Sequence, residues 1–199
     1  EGAKKTMENI MNEAEQLDFL IPEDKKVLFV CIGTDRCTGD SLGPLVGSEL
    51  KKLGYTALGT LGNTVNAMNI EKTLEVIKEK YYDYFVVAID ACLGRLENVG
   101  KISVLPFPLK PGAGVGKDLP EVGDIHIAGV VNFKPTYDNF DFLVLQNTKL
   151  SIVMDLKERI VQAIDYVMKK RQERMINRFL LDNPLRKHKL YFDGRKEHA

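Results

Sequence analysis

The chain has 199 residues, 44% of them hydrophobic and 28% charged, and a formal net charge of zero. That length suits one globular domain with an appendage, large enough to bury a core without disulfide staples. A neutral chain lacks the cationic face that nucleic acid or an anionic membrane calls for, so neither is expected as the main partner.

The first twenty residues have the pattern of an amphipathic helix that ends before Pro22. Their polar start, EGAKKTMENIMNEAEQ, is unlike a signal peptide. Next comes KVLFVCIG, Lys26 to Gly33, a short β-branched apolar run that stops at glycine. Such a run reads as a buried parallel strand. The loop TDRCTGDS leads into LGPLVGSELKKLG, read as a helix with Ser41 as its cap and Gly54 at its end. A weaker strand is expected near Ala57 to Leu61. From Asn69 the spacing of Ile70, Leu74 and Ile77 predicts a helix. DYFVVAIDA, Asp83 to Ala91, is a second buried strand that ends in an acid. KISVLPF from Lys101 and DIHIAGVVN, Asp124 to Asn132, are further strands, with the glycine-rich stretch PGAGVGKDLPEVGD between them. A last helix is expected from Ser151 to about Arg174, with Val153, Leu156, Ile160, Ile164 and Val167 as its apolar stripe.

Strands that alternate with helices predict an α/β fold with a mostly parallel sheet covered on both faces. The chain divides into an N-terminal helix over 1–24, an α/β domain over 25–170 and a tail over 171–199. From Arg171 that tail carries eight Lys or Arg against four Asp or Glu, and it either packs on a partner subunit or stays loose. No run approaches the roughly 20 apolar residues of a membrane helix. The three cysteines, Cys31, Cys37 and Cys92, form no C-x-x-C and are odd in number, which points to a reducing, cytoplasmic compartment.

In open parallel sheets ligands bind beyond the carboxyl ends of the strands. Asp40 follows the first strand and Asp90 ends the second long one, so the topology brings both to one rim. Two carboxylates in one site do not both ionise cheaply. One then keeps a proton and serves as acid, while the other activates a water. The plainer alternative is that Asp40 caps a helix and Asp90 closes a strand. Glycines 112, 114 and 116 would let backbone N–H groups approach a substrate, or would simply form a surface loop. His126 lies within a strand pattern, where packing competes with a ligand role. Cys37 and Cys92 sit close to the two acids, as soft metal ligands or as a disulfide under oxidation; Cys31 reads as core. The loop GTDRCTGDSLG lacks both the Lys-Ser/Thr end of a P-loop and the dinucleotide glycine spacing.

Three segments in this order, CIGTDRCTGDSLGPLVG (31–47), FVVAIDACLG (85–94) and PGAGVGKDLPEVGDIHIAGVVN (111–132), resemble the YyaC sporulation proteins, small relatives of the germination protease of spore-forming bacteria. The resemblance spans about residues 25 to 170. It implies a three-layer α/β/α, phosphorylase/hydrolase-like fold shared with hydrogenase maturation proteases. It also implies catalytic roles for Asp40 and Asp90, and a match of the family's glycine loop to Pro111–Gly116. The hydrogenase maturation relatives sense nickel with acids and a histidine near the same rim, and His126 is the one possible counterpart here. This chain is much shorter than the germination protease and lacks its inserted segments.

The expectation is therefore a sporulation- or germination-associated peptidase without a cofactor. Asp40 and Asp90 are catalytic, while Thr34, Asp35, Ser41, Gly112, Gly114 and Gly116 support or bind substrate. The substrate is a protein or peptide, with small acid-soluble spore proteins implied by the resemblance, and the place is the forespore or spore interior. A homo-oligomer is possible through the last helix. Two other readings compete: a non-catalytic binding or regulatory protein on the same fold, and a metal-dependent hydrolase that uses Asp40, Asp90 and His126 or a cysteine.

Overall fold

The computed structural model describes residues 2–111 and 119–182. Helices α1 (Gly2–Leu20), α2 (Leu42–Lys52), α3 (Ile70–Lys80), α4 (Asp141–Gln146) and α5 (Leu150–Asp182) surround a five-stranded sheet. The strands are β1 (Lys26–Cys31), β2 (Ala57–Leu58), β3 (Tyr84–Gly94), β4 (Ile102–Leu105) and β5 (Ile125–Phe133). Their spatial order is β2-β1-β3-β5-β4. All neighbours are parallel except the edge strand β4, which runs antiparallel to β5. The α/β fold with a mostly parallel sheet, expected from the sequence, is the fold observed.

Strand alternation sends odd and even side chains of the long strands to opposite faces. Phe29, Val87, Ile89 and Ile127 join Leu17 of α1, Leu50 of α2 and Leu156, Ile160 and Ile164 of α5 in one core. Leu28, Val30, Val86 and Ala88 pack on the other face with Ile70 and Ile77 of α3. This explains why the strands read as continuous apolar runs: both faces are covered. The stripe Val153, Leu156, Ile160, Ile164 and Val167 is wholly buried. At about 1.5–3 kcal/mol for each large aliphatic side chain taken from water, this seam is a main source of the fold's stability.

Several boundaries differ from the sequence reading. The weak strand near 57–61 pairs at two residues only, Ala57 and Leu58. Ser41 precedes α2 but does not cap it: its hydroxyl donates 2.7 Å back to the carbonyl of Thr38. Gly54 does end α2, with a positive φ of 88° and an N–H to the carbonyl of Lys51. Helix α1 packs its Ile10, Ala14 and Leu17 into the main core. Helix α5 passes through position 171 without a break. There Arg171, 4% exposed, donates to the carbonyls of Ile21, Pro22 and Lys25 and ties the α1–β1 turn to α5. Glycines 112, 114 and 116 lie outside the described residues. No helix among the described residues is long and apolar enough to cross a membrane.

Candidate active site

The chain leaves β1, crosses one face through α2 to β2, and returns over the other face through α3 to β3 on the far side of β1. The direction of winding therefore reverses between β1 and β3, which is where open α/β sheets form their crevice. Pairing of these two strands ends at Cys31 and Ile89, while β3 runs on to Gly94. Beyond that point β1 turns away and the Asp40 loop enters the space it vacates.

Glycine makes that turn possible. Gly33 has φ of 138°, and a Cβ there would lie 2.0 Å from the carbonyl oxygen of Asp40. The same contact lets Thr34 N–H donate to that carbonyl at 3.1 Å. On the opposite side Gly39 abuts the end of α4, where a Cβ would meet the Leu145 carbonyl at 2.8 Å and Thr148 Oγ1 at 2.9 Å. Asp40 is thus clamped between the end of β1 and the α4 segment.

A cavity of about 580 Å³ opens here, and Asp40 and Asp90 both line it. Asp90 Oδ1 accepts 2.8 Å from the N–H of Ala91. Burial, and then the negative charge of Asp40, push the Asp90 carboxyl well above the usual range. Burial also raises Asp40, against a backbone hydrogen bond from Thr34. Among the described residues neither acid has an ion-pair partner, and no side chain caps the turn Gly39–Ser41 or α2. The plain capping role for Asp40 therefore has no bond to rest on. Both carboxyls are therefore held above the usual range, Asp90 the more so because burial and the charge of Asp40 act in the same direction.

The other residues singled out in the sequence fall in different places. Thr34 lines the cavity, but Asp35 and Ser41 do not. Asp35 is exposed and accepts from the N–H of Gly62 at 3.3 Å, and Ser41 is spent on its own turn. Cys37 and Cys92 both line the cavity. Burial, then the charge of Asp90, push the Cys92 thiol up to about 11. Cys37 is raised chiefly by burial, against a hydrogen bond from the Asp40 backbone that outweighs the opposing effect of the Asp40 charge. All three cysteines are free thiols, and Cys31 is core as expected. His126 is turned away: it is buried, its Nδ1 lies 2.8 Å from the carbonyl oxygen of Phe107, and its ring stacks edge-on with Phe107. Among the described residues no three His, Cys, Asp or Glu side chains converge as a metal site. The donor set thus does not fit the metal-dependent reading through Asp40, Asp90 and His126.

The sequence reading missed one wall of the cavity, made by Lys134, Asp141, Phe142 and Leu145. Lys134 N–H donates to the Gly94 carbonyl at the end of β3, and its ammonium pairs with Asp141. Asn132 Nδ2 donates to the Val144 carbonyl and to Thr148 Oγ1, so β5 holds α4 in place. An Asp in the first turn of a helix is an ordinary partner for the helix dipole, and nothing in the sequence marks Asp141 as different.

Comparison with known proteins agrees with this architecture. A family model described as "Protein of unknown function (DUF1256)" matches residues 2–163. The chain is 47% identical over 156 residues to the uncharacterized protein YyaC of Bacillus subtilis, covering 76% of this chain and 75% of that one. It is 32% identical over 125 residues to the germination protease of Bacillus licheniformis, covering 53% of this chain but only 34% of the protease. Among solved structures, a [NiFe] hydrogenase maturation protease, HycI, from Thermococcus kodakarensis superposes with a TM-score of 0.53 at 18% identity, over 77% of this chain and 98% of its own. That likeness is one of fold.

Proposed function

The chain belongs to the DUF1256 family, and on that premise we propose that it is a peptide-bond hydrolase with Asp40 and Asp90 as its acid–base pair. The observation that carries the reading is the pair itself: two carboxyls without cation partners among the described residues, in one cavity at the sheet's switch point, with the charge of one raising the pKa of the other. Asp90, which feels both burial and Asp40, holds the shared proton, and Asp40 is the base. Asp40 takes a proton from water as the oxygen bonds to the scissile carbonyl carbon. Asp90 supplies its proton to the carbonyl oxygen. Collapse of the tetrahedral species breaks the C–N bond: the proton collected by Asp40 passes to the leaving nitrogen, and one hydroxyl of the diol returns its proton to Asp90 as the carboxyl product forms. The similarity to a germination protease supports a peptide or protein as substrate and a setting in sporulation or germination, with small acid-soluble spore proteins as the first substrates to try.

The test is cleavage of a spore-protein mixture, read by mass spectrometry. The parent should give discrete cuts. Asp40→Asn and Asp90→Asn should each lose about 10²–10⁴-fold in rate, the usual contribution of a positioned acid or base. Cuts at parental rate in either variant would remove that residue from the chemistry. A second reading, a non-catalytic binding protein on the same fold, is favoured by one observation: the match spans only 34% of the germination protease. It expects retention of spore proteins by the parent and by both variants alike, with no cuts.

A further inference from the structure

The strand that carries Asp90 outruns its neighbour on one side. Pairing of β3 with β1 ends at Cys31 and Ile89, where Ile32 N–H donates 2.8 Å to the Ile89 carbonyl. Pairing with β5 runs on to Gly94. Along a strand of a parallel ladder, the N–H and C=O of alternate residues address the same neighbour. The Val86 carbonyl accepts from Asp124 N–H, just before β5, and the Gly94 carbonyl accepts from Lys134 N–H, just after it. Even-numbered residues of β3 thus address β5. The irregularity at Cys92 and Leu93 does not upset this, because its extra residue, Val131, lies on β5. Ile89 addresses β1, and Ala91 and Leu93 point the same way, into the space beyond the end of β1.

The main-chain groups on that edge are mostly unpaired. Ala91 N–H is spent on Asp90 Oδ1 at 2.8 Å, a bond that also brings the Asp90 carboxyl to this edge. The Ala91 carbonyl, the Leu93 N–H and the Leu93 carbonyl have no hydrogen-bond partner among the described residues. The Asp40 loop enters the same space without bonding to any of the three. Ala91, Cys92 and Leu93 are half-buried and line the cavity that holds the two acids. An unpaired strand edge is a template for another extended chain. At about 580 Å³ and with Ala67, Met68, Phe142 and Leu145 also in its lining, the cavity has room for one short extended segment but not for the edge of a second sheet. Resting on the hydrolase reading above, we infer that the substrate polypeptide binds as an added strand along residues 91–93 of β3, in the line that β1 leaves. In either direction, such a strand donates the N–H of two residues two apart to the Ala91 and Leu93 carbonyls. The carbonyl of one of those residues accepts from Leu93 N–H. The bound main chain then passes beside the Asp90 carboxyl.

The probe is a tryptic digest of a bacterial proteome, with cuts identified by mass spectrometry. The best-cut peptide is then made as a set in which each main-chain N–H in turn is N-methylated. Each member is read as an inhibitor of cutting of the unmodified peptide, so that a member that is itself uncut still reports its binding. Two positions two residues apart should each weaken binding about tenfold, the scale of a main-chain hydrogen bond, and the position between them should not. Leu93→Pro removes the cavity-facing donor and no bond of the β5 ladder; at an unchanged melting temperature it should weaken the unmodified peptide about tenfold, and parental affinity would overturn the inference. If that variant is destabilised, the N-methyl pattern in the parent decides. Cutting without a pair of sensitive positions two apart, or with equal sensitivity between them, overturns the inference while hydrolysis stands. If the parent cuts nothing, the peptide best retained from the same digest by immobilised protein takes the place of the cut one. The same spacing in its affinities supports the inference and removes the hydrolase reading, while a different spacing, or no retained peptide, overturns both.

Discussion

Along the seam between α1 and α5 the acids meet cations: Glu13 contacts Arg159 at 2.9 Å, and Asp18 contacts Arg174 at 2.6 Å and Lys170 at 3.2 Å. In the cavity, Asp40 and Asp90 face each other's charge with no such partner among the described residues. Both regions bury carboxyls, and they treat them differently. Asp18, half-buried, is held below the usual range chiefly by its hydrogen bond from Arg174. Glu13 is deeper, and there burial outweighs the attraction of Arg159. In the cavity burial and like charge act in the same direction. The seam uses charge to fix one helix against another. The Asp40–Asp90 pair is buried without a matching cation among the described residues, which costs stability when both are ionised.

The contrast can be broken most directly at the seam. Arg159→Met leaves Glu13 buried without its cation and should lower stability by about 3–5 kcal/mol in chemical denaturation. Glu13→Leu combined with Arg159→Met should recover most of that loss. Equal losses in the single and double variants would mean that the pair is not coupled.

At the cavity the expected sign reverses. Folded Asp90 holds its proton more firmly than the unfolded chain does, so its contribution to stability is complete below the unfolded value, about 3.9, and is lost as pH rises through the folded value. Asp90→Asn, which cannot ionise, should therefore be more stable than the parent at pH 7, by on the order of 1 kcal/mol or about 2–4 °C. The advantage should shrink as pH falls toward 4. A variant less stable than the parent at pH 7 would mean that the ionised Asp90 has a stabilising partner, and the comparison would fail.

The smallest effect sharpens the electrostatics. With its thiol pushed up to about 11 by burial and by Asp90, Cys92 should react very slowly with iodoacetamide at pH 8, where about one part in a thousand is thiolate. Asp90→Asn removes the second of these causes and should speed that reaction a few-fold, measured by peptide mapping of the native protein. An unchanged rate would place the Asp90 charge too far from Cys92 to matter.

Much of this was legible in the chain. The runs KVLFVCIG and FVVAIDA read as buried strands because the sheet is covered on both faces and leaves them no polar alternation. The stripe from Val153 to Val167 read as a helix because one face of α5 meets the sheet throughout. The placing of Asp40 and Asp90 on one rim followed from the same pattern, although Asp90 does not end its strand as the sequence suggested: β3 runs on to Gly94, and the rim lies where its pairing with β1 stops at Ile89. Three things depended on contacts that no local pattern encodes. His126 turned to the carbonyl of Phe107 because β4 lies beside β5 and presents that loop to it. Ser41 turned to Thr38 rather than to α2, and Asp35 turned to Gly62. Helix α4, six residues long, has no repeating apolar stripe to announce it, and its place on the cavity comes from Asn132, Thr148 and Gly39.

By itself, then, the sequence determined the strands, the long helices and the rim on which the two acids sit, because burial and chain direction are written in periodicity. Only the tertiary structure decided which carboxyls share a cavity and which are matched by cations, because those outcomes depend on side chains brought together from distant parts of the chain.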